Sequence, residues 1–251
     1  MIPLRPFPAL VAIAAVALVT TGTGCETTAQ QSAKIGEELG PVKQEKGLKI
    51  TSPNRDVKVV ATTVLSDPEG AAVVVEVRNS SGRALADVPI AIDVLDPAGK
   101  SVYENDLPGI ETALTAIPYI PANGTAVWVN DQVLATGKAV DAKVTIGAGG
   151  TPVSGEVPRF TASEPKLEGD PYSGIVAGGK VENESGEKND RVLIYAVARQ
   201  GGKVVAAGRG AIEKVKEERK PLPYNVYFIG DPSGADVELT LYPTLPGEKA
   251  K

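Results

Sequence analysis

The segment Val77-Arg78-Asn79-Ser80-Ser81-Gly82 returns about a hundred residues later as Val181-Glu182-Asn183-Glu184-Ser185-Gly186. No other feature constrains the fold as much, because a turn rebuilt at a distance points to a repeated unit. At Asn79 and Asn183 a strand must stop and turn, and Asn followed by Ser and Gly supplies residues that tolerate unusual backbone angles. Further matches follow in the same order. Asp96-Pro97-Ala98-Gly99-Lys100 answers to Gln200-Gly201-Gly202-Lys203, and Val140-Asp141-Ala142-Lys143-Val144-Thr145-Ile146 answers to Ala235-Asp236-Val237-Glu238-Leu239-Thr240-Leu241. The pattern implies an internal duplication whose joint is the Gly-rich run 147–155.

Between these landmarks the chain alternates short apolar runs with Gly, Pro, Asn and Asp clusters, the signature of strands and turns. Strands are expected at 57–65, 71–79, 88–95, 101–103, 125–133 and 141–147, and again at 159–167, 173–182, 192–199, 203–212, 224–229 and 236–242. Six or seven strands in about ninety residues suit an immunoglobulin-like sandwich. The fold class expected is therefore all-β: two tandem immunoglobulin-like β-sandwiches, at 56–148 and 158–243, with a linker at 149–157 and a C-terminal tail at 244–251. Aromatics make up only 4% of residues, so the cores must be built from small and β-branched side chains, which suit pleated sheets. The lone Trp128, in the alternating strand Val127-Trp128-Val129, is either the core anchor of the first domain or exposed for binding, the core being the reading preferred, and Tyr224, Tyr227 and Phe228 are read as lining the matching strand of the second.

The amino terminus carries a different signal. Arg5 precedes the apolar run Leu10 to Val19 and then Thr20-Thr21-Gly22-Thr23-Gly24, the three-part layout of a secretory signal peptide, here 1–24. The run falls short of the roughly 20 apolar residues a spanning helix needs, so cleavage is expected. Gly22-Thr23-Gly24-Cys25, followed by polar residues, resembles the lipobox of bacterial lipoproteins, although Gly22 stands where that family usually has an aliphatic residue. The resemblance implies lipidation of Cys25 and a location on the outer face of the cytoplasmic membrane. An ordinary signal cut near Thr23, giving a secreted product, is the alternative. Residues 25–55 read as a flexible tether, which would hold the first domain about 30 Å from the membrane.

Composition excludes several chemistries. The chain has no His, one Cys and one Met, which removes the usual general base and the commonest metal ligands. A single Cys also rules out an intrachain disulfide, so the domains must stand on packing. A net charge of −5 argues against nucleic acid as a partner, since that binding rests on clustered cations. The Gly pairs Gly178-Gly179 and Gly201-Gly202 lack the helix that would turn a loop into a phosphate cradle. No catalytic residue, metal site or cofactor is assigned.

A strand ending in Val-x-Asn, a turn with Ser-Gly, an alternating strand and a Gly-Lys hairpin together resemble the FxLYD-type domain of bacterial extracellular and lipid-anchored proteins. The namesake segment falls on Ile92-Asp93-Val94-Leu95-Asp96 in the first half, and on Tyr195-Ala196-Val197-Ala198-Arg199 in the second. The resemblance implies a small β-sandwich module outside the membrane and brings no catalytic residues.

The halves differ most where the first has the apolar stretch Ile110 to Ile120 and the second the charged run Glu213-Lys214-Val215-Lys216-Glu217-Glu218-Arg219-Lys220. Ile110, Leu114, Ile117, Tyr119 and Ile120 form a candidate partner patch if they lie on the surface; the other reading is that they cap their own sandwich. The function expected is that of a membrane-tethered interaction or structural protein of the bacterial cell envelope, non-enzymatic, with an envelope protein as partner. A small-solute-binding module is the alternative, and an enzyme comes last.

Overall fold

The computed structural model describes residues 47–170, 174–217 and 219–245. Cys25 and the expected signal peptide lie outside them. The described chain is all-β, with a single 3-10 turn at Thr112–Leu114 and no α-helix among the described residues. The strands of the first half are β1 (Val57–Asp67), β2 (Gly70–Asn79), β3 (Leu85–Leu95), β4 (Ser101–Glu104), β5 (Ala116–Ile120), β6 (Thr125–Val133), β7 (Asp141–Ile146) and β8 (Thr151–Pro152). Those of the second are β9 (Phe160–Ala162), β10 (Lys166–Asp170), β11 (Gly174–Asn183), β12 (Asn189–Gln200), β13 (Lys203–Val215), β14 (Leu222–Tyr227), β15 (Ile229–Gly230) and β16 (Asp236–Pro243).

Every pairing among these strands is antiparallel. One sheet has the order β1-β2-β6; a second is built on β3, which carries β4 and β7 on its C-terminal half and β5 and β8 on its N-terminal half. The second half repeats this arrangement as β10-β11-β14, with β9 also on β11, and β15-β13-β12-β16. Alternation drives it: in β3 the side chains of Val88, Ile90, Ile92 and Val94 are buried while Asp87, Pro89, Ala91 and Asp93 between them are half-exposed.

The two recurring Asn residues make matching bonds. The Asn79 amide donates to the carbonyls of Arg83 (2.8 Å) and Pro121 (3.0 Å) and accepts from the Ser81 hydroxyl (2.7 Å). Asn183 donates to Glu187 (2.7 Å) and Lys216 (3.0 Å) and accepts from the Ser185 hydroxyl (2.7 Å). Both are buried. Each therefore fastens the end of one strand to a distant loop through a side chain whose hydrogen-bonding capacity is filled.

Three departures from the sequence pattern carry physical reasons. The run expected as one strand at 159–167 is split into β9 and β10, because Pro165 lacks the N–H a ladder needs. Strand β5 was not expected at all: Ile117, Tyr119 and Ile120 sit in a ladder opposite Val88, Ala86 and Leu85. Tyr227 is 47% exposed although Tyr224 and Phe228 are buried, since it lies opposite Val176 on the outer face of β14.

Two apolar clusters fill the interior. One contains Val73, Val75, Val77, Ile90, Ile92, Val94, Ile117 and Trp128; the other contains Ala177, Val181, Ile194, Ala196, Ala206, Tyr224, Val226 and Phe228. The first cluster also takes in Tyr195, Val197, Ala207 and Tyr242 from the second half. Strand β2 is buried without interruption from Ala71 to Val75, and β12 from Ile194 to Ala198. Both strands are thus covered on two faces, so the halves pack sheet against sheet rather than hanging from a free joint. Residues 151–152 of the joint pair with β3 as β8.

Candidate functional site

The stretch singled out as a partner patch does not form an exposed apolar surface. Ile117 and Ile120 are fully buried, Leu114 is 4% exposed, and Ile110 and Tyr119 are half-buried. The reason is the missing strand. In the second half the partner of β12 runs unbroken as β13, whereas the corresponding partner of β3 is divided into β4 and β5, and residues 105–115 leave the sheet between them. The buried Asn105 amide holds this excursion: it donates to the carbonyls of Ile90 (3.0 Å) and Leu114 (2.7 Å) and accepts from the Ile92 N–H (2.8 Å).

The excursion reaches the second half. Its Ala113 carbonyl accepts from Trp128 Nε1 at 2.8 Å and from the Tyr195 hydroxyl at 3.5 Å. Glu111 pairs with both Arg191 and Arg209. Arg209 is the centre of the junction, with a side chain only 6% exposed. Its Nε donates to Asp131 Oδ1 at 2.9 Å and its backbone N–H to Asp131 Oδ2 at 2.9 Å. Further along the same face Arg199 donates to Glu76 at 2.9 Å, the Tyr242 hydroxyl donates to the Val127 carbonyl at 2.8 Å, and the Gly230 N–H donates to Asp67 at 2.6 Å. The rings of Tyr195 and Tyr242 meet edge to face with centroids 5.1 Å apart.

Electrostatics follow from this packing. Burial raises the pKa of both Tyr195 and Tyr242 well above the ordinary phenol value. For Arg209 burial works the other way, but the charge and hydrogen bond of Asp131 outweigh it and hold the guanidinium protonated more firmly than usual. Sequence reasoning passed over these charges. The unbroken apolar runs of β2 and β12 signalled only that these strands are covered on both faces.

A second feature is open to solvent. A groove of about 500 Å³ lies between β16 and the bend joining β9 to β10. Phe160, Ala162, Val237, Leu239 and Leu241 give it an apolar floor, and Ser163, Glu164 and Thr240 are its polar rim. The bend is fixed in place. The Ser163 N–H donates to the Lys180 carbonyl (2.8 Å), its hydroxyl accepts from the Lys180 N–H (3.0 Å), and the Tyr224 hydroxyl donates to the Ser163 carbonyl (3.2 Å). Tyr224 reaches that carbonyl by lying across Gly179, where a Cβ would fall 2.6 Å from its ring.

Among the described residues no group of three or more Cys, Asp or Glu side chains is arranged to hold a metal ion, and no helix is long and apolar enough to cross a membrane. No protein-family model, curated protein or solved structure matches the chain.

Proposed function

We propose that the chain is a non-enzymatic interaction protein of the bacterial cell envelope: two tandem immunoglobulin-like β-sandwiches, 56–148 and 158–243, tethered outside the cytoplasmic membrane through a lipid on Cys25. The observation that carries the reading is the junction. Its buried charges are turned inward, where they fix one half on the other, and none of them lines the groove beside β16. What remains accessible is backbone edge and groove. A rigid pair of β modules with a free strand edge is suited to holding another protein, because recognition through an edge needs no special side-chain motif. The matching bonds of Asn79 and Asn183 support duplication of one sandwich, and the layout around Cys25 supports export and anchoring.

Labelling of cells with a radioactive fatty acid tests the anchor: wild type should carry label and Cys25→Ser should not, while equal labelling would remove the lipid from the reading. Crosslinking in intact envelopes tests the interaction. A discrete crosslinked species is expected with wild type, and a chain recovered only as monomer across crosslinkers of different reach would overturn it.

A further inference from the structure

The two halves treat corresponding edges differently. In the first half the end of β7 is covered by the chain itself: Pro53 forms an antiparallel bridge with Gly147, the Asn54 N–H donates to the Ile146 carbonyl (2.8 Å), and the Ala148 N–H donates to the Ser52 carbonyl (2.7 Å). The Asn54 amide adds a bond to the Gly147 carbonyl (3.1 Å). An extended segment entering from upstream therefore lies against that edge. In the second half the segment at the same distance before Asn183, residues 156–158, makes no such bridge among the described residues. Residues 151–152 pair with β3, and the Val153 N–H donates to the Ala84 carbonyl (3.0 Å).

Strand β16 is consequently left with β12 on one edge and no strand on the other among the described residues. Successive residues of a strand direct their N–H and C=O groups to opposite edges, so half of those on β16 face outward. The groove lies alongside this edge, with Val237, Leu239 and Leu241 half-buried in its wall and Phe160 and Ala162 opposite. Its far wall is held by Ser163 and Tyr224, so the groove exists before anything binds. Glu164, exposed, is the one charged residue that lines it.

We infer that β16 takes an extended peptide segment of a partner protein as an added antiparallel strand. The occupant's alternate side chains are small or aliphatic and enter the groove over Phe160 and Leu239, and a basic side chain meets Glu164. The first half shows the occupant's chemistry in miniature, an extended backbone bridged antiparallel at the end of the matching strand; the second supplies the groove and leaves the edge free. This inference rests on the interaction reading above and names the surface and the kind of partner it uses.

The test is selection of displayed random peptides of about ten residues, long enough to run along β16, on the full chain, followed by fluorescence anisotropy of the enriched sequences. Enriched peptides are expected to alternate apolar and polar positions, to carry a basic residue, and to lose about tenfold or more in affinity on Leu239→Glu. Glu164→Arg, at an exposed site, should weaken them without altering thermal unfolding, which covers the case in which Leu239→Glu disturbs folding. The matched first-half change Val144→Glu should leave binding intact. No enrichment, or enriched peptides indifferent to both second-half variants, overturns the inference. An envelope crosslink that survives Leu239→Glu and Glu164→Arg leaves the interaction reading standing and removes β16 as its surface.

Discussion

Arg209→Ala is the substitution that most directly probes the junction. The side chain is 6% exposed, and its partners Asp131 and Glu111 are 17% and 29% exposed, so its removal strands carboxylates that water reaches poorly. Breaking a buried ion pair from one side costs about 3–5 kcal/mol. Asp131 keeps the Arg209 backbone N–H and Glu111 keeps Arg191, which sets the expected loss at the low end, about 3 kcal/mol. At about 2–4 °C per kcal/mol for a chain of this size, melting should fall by roughly 6–12 °C. Trp128 is the only Trp and bonds the same carbonyl as Tyr195, so its fluorescence reports the junction while far-UV circular dichroism reports the whole chain. The two signals should change together in wild type. Asp131→Asn in the Arg209→Ala background should restore part of the loss, with a coupling of about 1 kcal/mol or more. A loss under about 1 kcal/mol, with the two substitutions additive within about 0.5 kcal/mol, would refute the reasoning.

Alkaline pH should act through the same interface. The folded-state pKa values of Tyr195 and Tyr242 lie above the value near 10 that both have when unfolded, so their share of stability is intact below about pH 10 and is lost as pH rises. The slope should approach about 1.4 kcal/mol per pH unit for each residue, and Tyr195→Phe should remove its part in urea unfolding series at pH 9 to 11; an unchanged slope contradicts the burial argument. Asn79→Ala and Asn183→Ala should each cost about 2 kcal/mol, because each leaves two carbonyls without their amide donor. Equal costs at both positions are expected in urea unfolding, and a cost near zero at either would separate the two turns.

Most of the strands could be read from the sequence because alternation is a local property. Val88, Ile90, Ile92 and Val94 mark β3 with no knowledge of what covers them. Strand β5 escaped because Ile117, Pro118, Tyr119 and Ile120 are mostly apolar, and a short apolar run reads equally as core or as patch until its neighbours are known. The runs Ala71 to Val75 and Ile194 to Ala198 held more information than alternation uses. An antiparallel strand with one wet face alternates, and a strand without alternation has two dry ones. Those runs already contained the packing of one half on the other. Arg209 and Asn105 were not legible by any local rule, since an Arg between two Gly residues and an Asn between two acidic residues look like solvent-exposed polar positions.

The difference between the two halves is used inside the molecule. The first half diverts 105–115 out of its sheet and so brings Glu111 and the Ala113 carbonyl to the junction; the second keeps β13 whole and presents Arg191, Arg209 and Tyr195 to meet them. These departures are complementary, and each makes sense only in the presence of the other. The stretch where the two halves differ most therefore lies at their junction, and its apolar residues are accounted for by that role. The second asymmetry is not. Upstream chain covers the end of β7 in the first half, no segment does the same for β16 in the second, and nothing among the described residues pairs with that edge. An open edge beside an apolar groove is a hazard for self-association unless something else covers it. On that physical ground the surface to examine for a partner is β16.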